Sequence, residues 1–307
     1  MSGAALRILI LGAGAIGGYF GARLVEAGQN VEFLVRGQRS DELASNGLRV
    51  VSAHGDFKQT VHCISEANDS YELVILSCKA YDLESAIAAI APAVGPATRV
   101  LPLLNGLTHL DTLDAAFDSE RVLGGFAHIS VTRRNDGVIE QFGDTTRFVY
   151  GPRGATDISD AIVQALVSMN AQVIHTPTIF SLMWQKFALI TALAGATCLC
   201  RGSVGDILAT ADGRAFIERL YRECCATAQA GGHVLNAEMQ AEALAVLTHP
   251  SSLKASMLRD IEHGGRSEGE HIVGDMLQRA TMLNIDAPLL LAAATTLRVY
   301  GNSTKPA

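Results

Sequence analysis

Leu6-Arg7-Ile8-Leu9-Ile10-Leu11-Gly12-Ala13-Gly14-Ala15-Ile16-Gly17 reads as an apolar strand that runs into a glycine turn and then into a helix. Gly12, Gly14 and Gly17 make the spacing G-x-G-x-x-G, with Ala13, Ala15 and Ile16 between them. Strand before and helix after are the context that gives this short motif meaning. Gly12 permits the tight turn, Gly14 lets backbone approach a pyrophosphate, and Gly17 lets the helix pack closely on the strand. Phosphates would then face the open N–H groups and positive dipole end of the helix.

The next strand pattern, Val31 to Val35, ends at Arg36. An acidic residue in that place holds the ribose 2′-hydroxyl of NAD, whereas an arginine accommodates the 2′-phosphate of NADP. Glu32 lies too early in the strand to reach the ribose, and Arg39 is a second cation close by. The reading favours NADPH.

Working outward, short apolar runs alternate with helical patterns in the first half of the chain. Leu6 to Leu11, Val31 to Val35, Leu73 to Ser77 and Val100 to Leu104 read as strands, and Ile16 to Ala27, Leu83 to Ile90 and Ile158 to Val167 as helices. That is the pattern of a doubly wound parallel sheet. Leu48 to Ser52, Gln59 to Ile64, Val122 to Val131 and Arg147 to Tyr150 read as extensions of it, with an antiparallel part at the Asn135-Asp136-Gly137 turn. After Pro177 the strand signal ends, and Ala/Leu-rich segments follow: Leu182 to Cys200, Gly213 to Gly231, Ala237 to Leu247, Ser267 to Leu283 and Leu289 to Tyr300. The expected fold is α/β, with a Rossmann-type NADP-binding domain over 1–177 and an all-helical substrate or dimerisation domain over 178–307. The site is expected at the C-terminal strand ends.

Composition narrows the function classes. The chain has 307 residues, 49% of them hydrophobic, and a formal net charge of -7, with no basic run suited to nucleic acid. Its first apolar segment carries Arg7 and enters the glycine turn directly, unlike a signal peptide. Phe187 to Cys200 is chargeless but shorter than the ~18 residues that span a bilayer, so it reads as a buried helix. The six cysteines match neither a disulfide frame nor zinc spacing, and the nine histidines are scattered, so no metal is expected. The cysteines read as small buried hydrophobes in a reducing compartment. These features fit a cytoplasmic enzyme that acts on a small molecule, with no membrane partner.

Lys79 follows the third apolar strand and Asn105 the fourth, so both are candidates to orient a cofactor and an anionic substrate. With these residues, the chain resembles the ketopantoate reductase (2-dehydropantoate 2-reductase) family. The resemblance rests on the glycine turn, Arg36, Lys79-Ala80, Asn105-Gly106, Trp184-Gln185-Lys186, Ser256 to Ile261 and Arg266-Ser267-Glu268. It implies NADPH-dependent reduction of the keto group of a 2-oxo acid, in pantothenate biosynthesis. It further implies that Gly12 to Gly17, Arg36, Lys79, Asn105, Ser130 and Glu268 contact the cofactor. Lys186 would be the proton donor, Glu268 the essential carboxylate, and Asn105, Lys186 and Ser256 the substrate contacts.

The chemistry agrees with those roles. Hydride delivery to a ketone creates an alkoxide, which needs a nearby cation that can give up a proton. Lys186 begins the most apolar helix pattern, where desolvation should lower its pKa. A competing reading makes Ser267 and Glu270 a capping box and Glu268 a first-turn acid. One departure stands out: where the family has asparagines four and eight residues after the lysine, this chain has Ile190 and Ala194, and Val204 at a later one. Either Thr191 or Arg201 replaces those amides, or the substrate is a more apolar 2-oxo acid. A β-hydroxyacid or 6-phosphogluconate dehydrogenase would carry an asparagine at position 190. A catalytically silent NADP(H)-binding sensor is the other alternative. The apolar stretch Leu289 to Leu297 suits either core or the contact of a homodimer.

Overall fold

A computed structural model describes residues 6–303. The outermost residues of the two expected domain ranges, 1–5 and 304–307, lie outside it. The described residues form two compact units, one of residues 6–104 and 109–179, the other of residues 105–108 and 180–303.

In the first unit, β1 (Arg7–Leu11), α1 (Ala15–Glu26), β2 (Asn30–Leu34), α2 (Gln38–Asn46), β3 (Leu48–Val51), β4 (Phe57–Gln59), β5 (His62–Ile64) and β6 (Leu73–Leu76) come first. Then follow α3 (Leu83–Ile90), β7 (Arg99–Pro102), α4 (Thr108–Phe117), β8 (Gly124–Arg133), β9 (Ile139–Gly151), α5 (Asp160–Val167) and β10 (Gln172–His175). One sheet has the order β5-β2-β1-β6-β7 with every pairing parallel. Ile8, Leu9 and Ile10 are fully buried, as both faces of a parallel sheet must be. The chain has the expected Rossmann-type parallel sheet followed by a helical unit.

Of the later strand patterns only the end of Gln59 to Ile64, as β5, extends that sheet. The others form a second five-stranded sheet, β10-β9-β3-β4 with β8 on β9. The run Gln59 to Ile64 is two strands: β4 pairs antiparallel with β3, β5 pairs parallel with β2, and the chain changes sheets between them. An alternating pattern specifies a half-buried strand but not its partner. The β8–β9 hairpin turns at Asn135-Asp136-Gly137, where Val138 N–H donates to Asp136 Oδ1 at 3.2 Å and Gly137 takes φ +80°.

Helix α1 is buried from Gly17 to Leu24 because both sheets need it. A methyl group on Gly17 would lie 2.2 Å from Ser77 Oγ and 2.7 Å from the Gly12 carbonyl, so only glycine allows the helix this close to β1 and β6. On another side, the Phe20 and Phe148 rings meet edge to face at 4.9 Å, an arrangement that adds about 0.5–1.5 kcal/mol beyond burial. The fully buried Arg23 is paired within the unit, to Glu26 at 2.7 Å and the Gly55 carbonyl at 2.6 Å.

From Ile179 on, the regular elements among the described residues are all helical: α6 (Ile179–Cys200), α7 (Val204–Leu208), α8 (Gly213–Ala230), α9 (Ala237–Leu247), α10 (Ser256–Glu262), α11 (Asp275–Met282) and α12 (Pro288–Ser303). A π-helical turn, Glu270–Gly274, precedes α11. Helix α6 starts eight residues before Phe187 and runs for 22, longer than the chargeless stretch suggested. By length and composition it could cross a membrane, yet 56% of its most apolar window is buried within the protein. Small residues bring its neighbours close: a methyl on Gly195 would lie 3.0 Å from Leu220 of α8 and 3.5 Å from Ala293 of α12. None of the six cysteines is in a disulfide: Cys198 and Cys224 are buried, Cys63, Cys78 and Cys225 half-buried and Cys200 exposed. Burial therefore accounts for only some of them.

Candidate active site

The C-terminal edge of the parallel sheet carries the nucleotide candidates of the first unit. Gly12 ends β1 with φ +85°, in the left-handed region, and its N–H donates to the Leu34 carbonyl at 3.0 Å. Gly14 caps α1 without any side-chain hydrogen bond, is exposed, and a methyl group on it would meet nothing within 4 Å. The first N–H groups of α1 have no partner within the helix. Open space over a helix N-terminus approached by bare backbone suits a diphosphate.

Arg36 lies two residues past the end of β2, exposed, with no ion pair among the described residues. Glu32, in the middle of that strand, is already taken up. Its carboxylate accepts from Tyr71 Oη at 2.5 Å and pairs with Arg7 at 3.8 Å, so it is not presented to a ribose. Arg39 donates from Nε to the Ala13 carbonyl at 2.9 Å. Lys79 lies half-buried after β6, at the head of a short 3-10 turn, Ala80–Asp82. Ser130 is exposed on β8 beside the register shift at Ile129/Ser130, in the second sheet rather than at a strand end of the first.

In the second unit the structure brings Lys186 and Asn105 together. Lys186 Nζ donates to Asn105 Oδ1 at 2.9 Å. Residue Lys186 keeps some surface, but its ammonium is desolvated, and burial lowers its pKa to about 8. Asn105 reaches that position through Gly106, whose φ is +82°. A methyl group on Gly106 would come within 2.7 Å of the His271 carbonyl, so the turn after β7 fits against the π-helical turn Glu270–Gly274. Glu268 stands at the start of that turn, 6% exposed, and its carbonyl accepts from the N–H groups of His271 at 3.0 Å and Ile272 at 3.2 Å.

The capping box expected at Ser267 does not form. Ser267 Oγ accepts from Gly269 N–H at 3.1 Å, but Glu270 turns outward to a two-point pair with Arg298 at 2.6 and 3.1 Å. Ser256 is the exposed first residue of α10. Of the positions where asparagines were expected, Ile190 is half-buried, Ala194 is 3% exposed and Val204 1% exposed, so two of the three belong to the helical core. Thr191 is fully buried and cannot stand in for them on the surface. Arg201 is exposed just past the end of α6, with φ +56°. Sequence reasoning missed Gly106 as the residue that sets Asn105, although Asn-Gly is itself a turn signal. Nothing in the hydrophobic periodicity announced the π-helical turn.

Two halves of one family pattern cover this architecture: ketopantoate reductase PanE/ApbA matches residues 8–154, and its C-terminal counterpart matches residues 178–301. The chain belongs to the ketopantoate reductase family. It is 34% identical over 299 residues to the uncharacterized oxidoreductase YkpB of Bacillus subtilis, covering 96% of this chain and 99% of that one. It is 28% identical over 304 residues to a 2-dehydropantoate 2-reductase of Halobacterium salinarum, covering 96% and 98%. The crystal structure of 2-dehydropantoate 2-reductase from Geobacter metallireducens superposes with a TM-score of 0.87 at 27% identity, over 96% of this chain and 99% of that one. The protein is thus an oxidoreductase acting on a CH–OH group or its ketone, in a family that works with NAD(P)H.

Proposed function

We propose that this ketopantoate reductase homologue reduces a 2-oxo acid to the 2-hydroxy acid with NADPH, and that 2-dehydropantoate is the leading substrate. The observation that carries the reading is the Lys186 ammonium, desolvated to a pKa of about 8 and held by Asn105 Oδ1 at 2.9 Å. A cation in that state does two things a ketone reduction needs. It stabilises negative charge that develops on the carbonyl oxygen, and it surrenders a proton more readily than an exposed lysine.

The glycine turn and α1 N-terminus would hold the diphosphate, and Arg36 and Lys79 would supply cations to the rest of the dinucleotide. When bound, NADPH supplies the hydride. Asn105 fixes the direction of the Lys186 Nζ, and Lys186 donates its proton to the nascent alkoxide and returns to the ammonium form by uptake from water. Glu268, enclosed beside the π-helical turn, is the carboxylate assigned to hold substrate or cofactor hydroxyls, and Ser256 and Ser130 are assigned secondary contacts.

A second reading concerns the tail of the substrate. Leu189, Ile190 and Leu193, three, four and seven residues after Lys186, keep part of their surface and offer no hydrogen bond. A substrate laid along that face of α6 meets hydrocarbon, which favours a 2-oxo acid with an apolar side chain. Loss of nicotinamide absorbance with a panel of 2-oxo acids, 2-dehydropantoate and branched or aryl analogues among them, tests both. Turnover of 2-dehydropantoate above all others supports the first reading, and preference for the hydrocarbon analogues the second. Tight NADPH binding with no turnover of any would leave a sensor.

A further inference from the structure

Arg39 joins three separate pieces of the first unit. Its Nε donates to the Ala13 carbonyl at 2.9 Å, and its Nη1 donates to Glu42 Oε2 at 3.0 Å and to the Gly137 carbonyl at 3.2 Å. Glu42 also receives Arg133 at 3.5 Å. A methyl group on Gly137 would lie 3.1 Å from both Arg39 Nη1 and Glu42 Oε2, so the hairpin tip closes over the pair. The side chain is 13% exposed, and its Nη2 has essentially no solvent-reachable surface.

Ala13 lies in the middle of the glycine turn and is 1% exposed. Its carbonyl and the N–H of Gly14 share one trans peptide plane and point in opposite directions. Anchoring the carbonyl on Arg39 therefore turns the Gly14 N–H away from the buried guanidinium. We infer that Arg39 is a positioning residue for the diphosphate-binding turn, while Arg36 alone of the two reads the 2′-phosphate. A phosphate oxygen cannot reach the enclosed Nη2, and the other donors are engaged. This inference rests on the proposed binding of a dinucleotide at the glycine turn.

The two roles separate in equilibrium binding. Dissociation constants for NADPH and NADH, read from nucleotide fluorescence on the full chain, are compared for the wild type, Arg36→Ala, Arg39→Ala and Arg39→Lys. Loss of a hydrogen bond to a charged group corresponds to about tenfold in affinity or more. Arg39→Ala is expected to weaken both nucleotides by about that factor. Arg39→Lys keeps a charge but not the planar fork that spans three acceptors, and is expected to weaken both as well. Arg36→Ala weakens NADPH alone.

Selective loss of NADPH in either Arg39 variant would overturn the inference, because a lysine or its absence would then be felt only at the 2′-phosphate. A lowered melting temperature with both constants unchanged would overturn it too, leaving Arg39 a fold residue. If the wild type binds neither nucleotide, the dinucleotide reading itself fails and takes the inference with it. If the wild type binds NADPH and the Arg39 variants behave otherwise than expected, only the inference fails.

Discussion

Lys186 is held between two demands. In the proposed role of proton donor its ammonium must be charged to stabilise an alkoxide, and burial desolvates the charge. A pKa of about 8 means that the acid form predominates near neutrality and is lost as pH rises. With Lys186 as proton donor, kcat should be flat below pH about 8 and fall about tenfold per unit above it. A profile with no break in that region would refute the assignment. Lys186→Ala should cut kcat about 100-fold to 10,000-fold with the fold kept, the size of a general acid contribution, checked by steady-state rates beside circular dichroism. The stability effect has the opposite sign. The folded pKa lies below the value of a free lysine, so the unfolded chain binds more protons between the two, and stability rises with pH across that window. Lys186→Met, which keeps the stem and removes the charge, should raise stability at neutral pH by about 1 kcal/mol while abolishing turnover. Arg36 is the simpler case. Arg36→Ala should cost about 1.5–3 kcal/mol of NADPH binding and leave NADH unchanged, a difference titration calorimetry resolves.

Among the elements, the π-helical turn Glu270–Gly274 and the glycine after Asn105 act as one piece. Gly106→Ala forces a side chain into the left-handed region and against the His271 carbonyl. The expected result is a loss of about 1–3 kcal/mol in stability and a fall in kcat, since Asn105 no longer meets Lys186 squarely. An undiminished kcat in a folded Gly106→Ala protein would mean that the Asn105 contact is dispensable. The β1–α1–β2 unit was legible in the sequence because its determinants are local: an apolar run, three spaced glycines, then a second run closed by Arg36. Helix α3 was legible for the same reason. The separation of β4 from β5 was not, because pairing partners lie far along the chain. Nor was the turn at Glu268, where Arg298 draws Glu270 outward. Lys186 and Asn105 were each visible as candidates, but their contact spans 81 positions and belongs to the fold. Helix α12 shows the same dependence on distance. Its first amides are met by the buried carboxylate of Glu223, which accepts from Leu289 N–H at 3.1 Å and Leu290 N–H at 2.9 Å.

For the whole molecule, cofactor and stability are linked by mass action. A ligand that binds only the folded chain stabilises it by about 2.7 kcal/mol at a hundred times its dissociation constant. For domains of this order of size each kcal/mol moves the melting temperature by about 2–4 °C. NADPH at that excess should therefore raise the transition by about 5–10 °C. Gly12, Gly14, Arg36 and Lys79 all belong to the first unit, so the shift is expected in the transition that unfolds it. Calorimetry assigns that transition if the two units melt apart. With Arg36 as the proposed 2′-phosphate contact, NADH at the same concentration should shift it less, because NADH lacks that group. Arg36→Ala should then bring the two shifts together by lowering the NADPH one. Equal shifts in the wild type would remove the case for NADPH and leave the glycine turn as a site for either nucleotide, with specificity decided elsewhere than at the end of β2.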